Sequence, residues 1–161
     1  MMKIRDYEAR DLERVLDITI AAWQPIFASF RKLLGEKVFS TVYPDWQAEK
    51  HRQLSEQCAG KYGATVRVAE LNGKVVGFII YYCNASTGIG EISHNAVDPD
   101  YQHQGIATLM YPAVLAEMKA QGMRCAQVST GGDPSHAPAR RAYEKAGFDR
   151  ALPSVNYYQE L

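Results

Sequence analysis

The stretch "TVRVAELNGKVVGFIIYYC" (65–83) restricts the fold more than any other part of the chain. Two runs rich in β-branched and aromatic residues flank Asn72-Gly73, a pair that tolerates the two positive φ angles of a tight hairpin turn. "GIGEISHNAV" (88–97) continues the series as a third strand. A helical period then takes over. Residues 105–121 turn Ile106, Met110, Ala113, Val114 and Met118 to one side, and Gly122 stops the helix. "RCAQVST" (124–130) reads as a strand and "SHAPARRAYEKAG" (135–147) as a helix closed by Gly147. "FDR" and "VNYYQEL" read as terminal strands.

Upstream of the hairpin, "KIRDY" (3–7) is a short alternating strand. Asp11 is placed to cap a helix that carries Leu12, Val15, Leu16 and Thr19 at helical spacing. Pro25 is expected to interrupt it, and a second apolar segment with Ile26, Phe27, Phe30, Leu33 and Leu34 ends near Gly35. A further helix is expected after Pro44, stopping at Gly60. The order β, helices, hairpin, β, α, β, α, β predicts an α/β (α+β) domain over 1–161 with a mixed sheet. The β-α-β unit around 91–130 is expected to be a right-handed parallel crossover. Pro112 lies inside its helix and costs about 3 kcal/mol in a regular one. It predicts a local kink, or else a helix that begins late or breaks.

Composition excludes several classes. Acidic and basic residues balance at eighteen each, which removes the basic surplus of a nucleic-acid binder but leaves room for a local patch. No apolar run approaches the length of a membrane span, and "MMKIRDYEARDLERV" lacks the apolar centre of a signal peptide. Cys58, Cys83 and Cys125 are far apart and form no C-x-x-C pair, so reduced, buried thiols in a cytoplasmic protein are expected. Four scattered histidines offer no ligand spacing, so no metal is expected.

The loop "YQHQGIATLM" (101–110) joins a strand to a helix and is either a plain connection or an anion cradle. A helix N-terminus offers unpaired N–H groups, and Gly105 lets a ligand approach them. Ala107 keeps the next contact small, Thr108 adds a hydroxyl, and Gln102, His103 and Gln104 add polar groups. Neither G-x-x-x-x-G-K-[ST] nor G-x-G-x-x-G is present. Further on, "ARRAYEKAGF" (139–148) places Tyr143 on a helix near a glycine stop.

Strand, Q-x-x-G-x-A, helix, strand, then A-x-x-x-Y-x-x-x-G-F resembles the GNAT superfamily of acetyl-CoA-dependent N-acetyltransferases. By motif the resemblance covers about residues 91–148, and by element order nearly the whole domain. It implies a mostly antiparallel central sheet flanked by helices, with the β-α-β crossover carrying the acyl-CoA site. It implies that the Ala96 and Val97 backbone pairs with the pantetheine arm and that the amides of Gln104, Gly105, Ile106, Ala107 and Thr108 hold the pyrophosphate. Tyr143 would protonate the departing thiolate, and Glu91 matches a position where some members keep a general base. Many members carry arginine or lysine around the loop, whereas Gln102, His103 and Gln104 stand here, leaving phosphate contacts mostly to backbone dipoles. A frequent asparagine is replaced by His136, which would hydrogen-bond the pantetheine arm.

The chemistry asks for such parts. The neutral form of a lysine-like amine costs roughly 4.6 kcal/mol at pH 7, so a carboxylate or a water chain must take its proton. A thiolate leaves readily, so a tyrosine suffices as its acid, and the Val97 N–H is the candidate donor to the oxyanion. Glu91 reads either as this base or as a solvated strand residue. His94 and Asn95 are reserve candidates for orienting a water: in a regular strand His94 faces away from Glu91, and a bulge would shift that parity. Asp133 or Ser135 is expected to cap the last helix.

The substrate is expected against the N-terminal helices, at Trp23, Phe27 and Tyr43, with Trp46 nearby. Arg31 and Lys32 favour an acidic group on it. The expected partners are acetyl-CoA and a primary amine of a small molecule or peptide, and the family suggests a homodimer. The alternative is a CoA-binding sensor or interaction module of the same fold that does not catalyse.

Overall fold

The computed structural model describes residues 1–161. Five strands form one sheet in sequence order: β1 (Met2–Asp6), β2 (Thr65–Leu71), β3 (Lys74–Asn84), β4 (Ile89–Val97) and β5 (Cys125–Val128). All neighbours are antiparallel except β4 and β5, which are parallel. The Asn72-Gly73 turn closes the β2–β3 hairpin, both residues having positive φ. Helices α1 (Leu12–Leu34), α2 (Glu36–Val42) and α3 (Trp46–Cys58) precede the hairpin. Helix α4 (Ile106–Ala120) connects β4 to β5, and α5 (Ala137–Lys145) comes after β5.

A separate core lies on each face of the sheet. Val15 and Ile18 of α1 and Leu54 of α3 pack on Val66, Val68, Phe78 and Ile80. Ile106, Met110, Val114 and Met118 of α4 pack on Ala69, Val76, Ile79, Tyr81 and Ile92, and Tyr143 of α5 joins them.

Several features depart from the sequence reading. Helix α1 runs unbroken through Pro25, and α4 begins at Ile106 and continues through Pro112. Both prolines lie on exposed faces beside the exposed Ala21 and Thr108, so the carbonyls they leave unpaired can bond water. The short helix α2 is an addition to the expected elements. Asp11 does not cap α1: its carboxylate accepts from Arg5 and from the Glu8 N–H, an alternative that holds its pKa low. Residues 148–161 form no strand, and Glu160 instead meets Lys37 of α2 at 2.5 Å. Cys58 and Cys83 are half-buried, but Cys125 is exposed.

Strand β4 is irregular in two ways. Ile79 pairs with Asn95 but Tyr81 with Ile92, so β4 carries one extra residue at Ser93–His94. The bulge puts both on the α1/α3 face: Ser93 meets Gln57 of α3, and His94 meets Lys50 of α3 and Trp23 of α1. Asn95 returns to the other face and meets Tyr111 and Tyr143. The parallel pairing of β4 with β5 ends at Ile92–Val128. From Ser93 to Val97, β4 has no strand partner on that side.

Candidate active site

A cavity of about 1030 Å³ opens where β4 and β5 part. Its floor is β4 from Glu91 to Val97, and its two walls come from the two helical layers. On the α4/α5 side, a turn at Pro99–Tyr101 delivers the chain to the loop at Gln102. His103 and Gly105 have φ of 63° and 79°, and α4 starts immediately after. The N-cap residue is Gly105, so no side chain caps α4. Its first-turn N–H groups therefore have no partner within the helix or from a cap. Gly105, Ile106, Ala107 and Thr108 all line the cavity, and a Cβ on Gly105 would meet nothing within 4 Å. The dipole of α4 adds positive potential at the same place.

Tyr143 is buried on α5. Its hydroxyl accepts from Asn95 Nδ2 at 3.2 Å, while Asn95 Oδ1 accepts from Tyr111 at 2.7 Å. Burial raises the Tyr143 phenol above its ordinary value, against the opposing pull of the Asn95 donor, so it is protonated at neutral pH. Asp133 caps the short 3-10 turn Pro134–His136 by accepting from the Ser135 N–H at 3.1 Å, whereas α5 itself follows His136 with no side-chain cap, so neither Asp133 nor Ser135 caps the helix as expected. The same carboxylate holds His136 Nδ1 at 2.6 Å, leaving Nε2 as the ring nitrogen without a protein partner.

On the α1/α3 side the bulge brings His94 onto the face of Glu91. Glu91 is exposed and accepts from Gln127 at 3.2 Å. His94 sits between Gln57, 2.7 Å from Nδ1, and Lys50, 3.0 Å from Nε2. Burial, with the Lys50 charge beside it, pushes the imidazole down to about 4, so the ring is neutral. Burial likewise pushes Lys50 down to about 8.

The fold gathers Glu91, Ala96, Val97, Gln102, His103, Gly105, Ile106, Ala107, Thr108, His136 and Tyr143 around one space, with Trp23 opposite. Three other expected residues lie outside it. Gln104 is exposed and does not line the cavity. Phe27 and Tyr43 belong to an aromatic cluster between α1, α2 and α3, where Phe27 stacks on Trp46 at 4.3 Å and meets Tyr43 edge-on at 5.3 Å. Arg31 and Lys32 do not reach the cavity either, and Arg31 pairs with Glu36. Lys50, Gln57 and Tyr111 belong to the site without any signal in the sequence reading. Nothing in "DWQAEKHRQL" separates Lys50 from the solvated charges around it.

No group of three or more His, Cys, Asp or Glu is placed to hold a metal, and no helix is long and apolar enough to cross a membrane.

Comparison with known proteins identifies the fold and the family. An uncharacterized N-acetyltransferase of Methanocaldococcus jannaschii is 32% identical over 87 residues, 51% of this chain and 38% of that protein. The [ribosomal protein bS18]-alanine N-acetyltransferase of Escherichia coli (strain K12) is 31% identical over 87 residues, 54% of this chain and 56% of that protein. The matched region is thus well under two thirds of either relative. The crystal structure of PaiA N-acetyltransferase from Thermoplasma acidophilum, solved in complex with coenzyme A, shares the fold. It has a TM-score of 0.71 and 18% identity, over 92% of this chain and 90% of that one. Residues 26–148 match the model of the acetyltransferase (GNAT) family, and the chain belongs to that family.

Proposed function

We propose that this single domain transfers an acetyl group from acetyl-CoA to a primary amine, by direct attack with both substrates bound. One observation carries the reading: the open edge of β4 beyond Ile92 and the uncapped N-terminus of α4 face the same cavity. An extended arm bearing amides fits the first, and a diphosphate fits the second. The coenzyme A held by the T. acidophilum neighbour and the alanine acceptor named for the E. coli relative support the same chemistry.

In this reading Ala96 and Val97 offer backbone groups to the pantetheine arm, and the N–H groups from Gln104 to Thr108 hold the pyrophosphate. Gln102 and His103 add side-chain contacts, while Gln104 acts only through its backbone. His136 offers Nε2, with its ring fixed by Asp133. Acetyl-CoA supplies the activated acyl group. Tyr143, kept protonated by burial, gives its proton to the departing sulfur. Glu91 takes the proton of the amine, directly or through water. No cysteine is needed as an acyl carrier, and none of the three lines the cavity. Trp23 forms part of the acceptor wall.

Calorimetry with acetyl-CoA tests the reading. Wild-type protein should bind, and Gly105→Val should bind about tenfold more weakly or worse, because a β-branched residue is strained at φ 79°. Tyr143→Phe should still bind but release CoA about a hundredfold more slowly in the presence of an amine. Glu91→Gln should remove the basic group from the pH–rate profile, and an unchanged profile rejects that role. Absence of binding to acetyl-CoA or CoA defeats the reading. Binding without turnover of any amine points to the non-catalytic module.

A further inference from the structure

The cavity contains a cation that no carboxylate contacts. Lys50 Nζ is half-enclosed, 3.0 Å from His94 Nε2 and 5.1 Å from the centroid of the Trp23 ring. The tautomer of His94 is set by Gln57. The Gln57 Nε2 donates to Tyr82 at 2.9 Å and to Ser93 at 3.0 Å, so its Oε1 faces His94 and accepts from Nδ1–H. Nε2 of the neutral ring therefore accepts from the Lys50 ammonium. That uses one of three N–H groups, and Gln53 at 3.5 Å is a marginal second partner.

No carboxylate touches Lys50, and Glu49 acts on its charge only from a distance. Lys50 forms no ion pair, although its helix is rich in them. The adjacent Glu49 is taken by Arg52, through contacts of 2.6 and 3.0 Å, and by Gln53 at 2.8 Å. Glu91, the sole carboxylate lining the cavity, is exposed and held by Gln127. Lys145, the other ammonium on the wall, is exposed to water on α5. A partly desolvated cation beside a neutral imidazole and an aromatic face attracts an anion and repels a second cation.

We propose that Lys50 receives a carboxylate of the acceptor, so that the acceptor is a small amino acid–like molecule rather than a polyamine or a neutral amine. The proposal rests on the acetyltransferase reading. One ammonium with one or two free N–H groups matches a monoanion. A phosphate dianion would call for more donors, in the forked arrangement that arginine supplies. Lys50 acts on specificity, not on the reacting atoms. It fixes one end of the acceptor and keeps polycations away from the β4 bulge.

The test measures CoA release by acetyl-CoA-loaded protein with the free amino acids, each against its own carboxamide, and with spermidine. The expected result is a preference for the acid over its amide of about tenfold or more in kcat/KM. Lys50→Gln should bring the ratio close to one by raising KM for the acid. Lys50→Arg should retain the preference, and neither variant should change affinity for acetyl-CoA. The proposal is overturned if the wild type favours amides or spermidine, if it turns over no amino acid, or if the preference survives Lys50→Gln. Failure of the wild type to bind acetyl-CoA at all would instead defeat the acetyltransferase reading beneath it.

Discussion

Gln57 shows how much one amide can decide. By donating to Tyr82 and Ser93 it presents its oxygen to His94, fixes the tautomer of that ring and turns the free nitrogen toward Lys50. The cost of holding His94 neutral has a measurable sign. An unfolded histidine titrates near 6.5, and in the fold this one is pushed down to about 4. Between those values the unfolded chain holds a proton that the folded chain lacks. Stability therefore falls as pH drops from about 6.5 toward 4, and the group contributes no slope above that window. His94→Gln keeps an acceptor for Lys50 but does not titrate. Urea unfolding at pH 7 and pH 4.5 should show the wild type losing about 2 kcal/mol more than the variant over that interval. Equal losses would show that the ring takes up its proton without resistance from the fold. At this scale the sequence is readable where a residue sits in a pattern, as Tyr143 and Gly105 do. Lys50 is a lysine on a polar helix, and only the three-dimensional packing of α3 against the bulge makes it different.

Among the elements, turn chemistry and hydrophobic period are reliable guides because both are local. The Asn72-Gly73 hairpin, the α4 stop at Gly122 and the α5 stop at Gly147 match the sequence reading closely. The prolines mislead because the cost of a lost helix bond depends on whether the orphaned carbonyl can reach water, which is a property of the packed molecule. The bulge is only one option at the level of sequence. Two adjacent polar residues, Ser93 and His94, satisfy a regular strand or a bulged one equally well in composition. The loop into α5 offers a test of local fit. A Cβ at Gly131 would collide with His136 Nδ1 and Asp133 Oδ1. Gly131→Ala should cost about 1–3 kcal/mol in chemical denaturation, since the carboxylate–imidazole pair would be forced apart. It should also weaken acetyl-CoA binding if His136 serves the pantetheine arm. An unchanged midpoint would mean that the loop relaxes around the added methyl.

Across the whole molecule, one sheet serves two cores, and the site lies where that sheet stops being a single surface. The order of elements is legible along the chain, but which strands finally pair is not. "VNYYQEL" has the composition of a strand, yet it forms none although β1 and β5 keep free outer edges, because pairing depends on contacts with distant residues and not on composition alone. The incomplete pairing of β4 with β5 has a further consequence. Closing it would satisfy more of the backbone within the chain, and the fold forgoes that gain. What remains is a template, already aligned, that lacks its final strand. Any extended ligand that supplies the missing peptide-like groups would finish the architecture as it binds, so that saturation and completion of the sheet become one event.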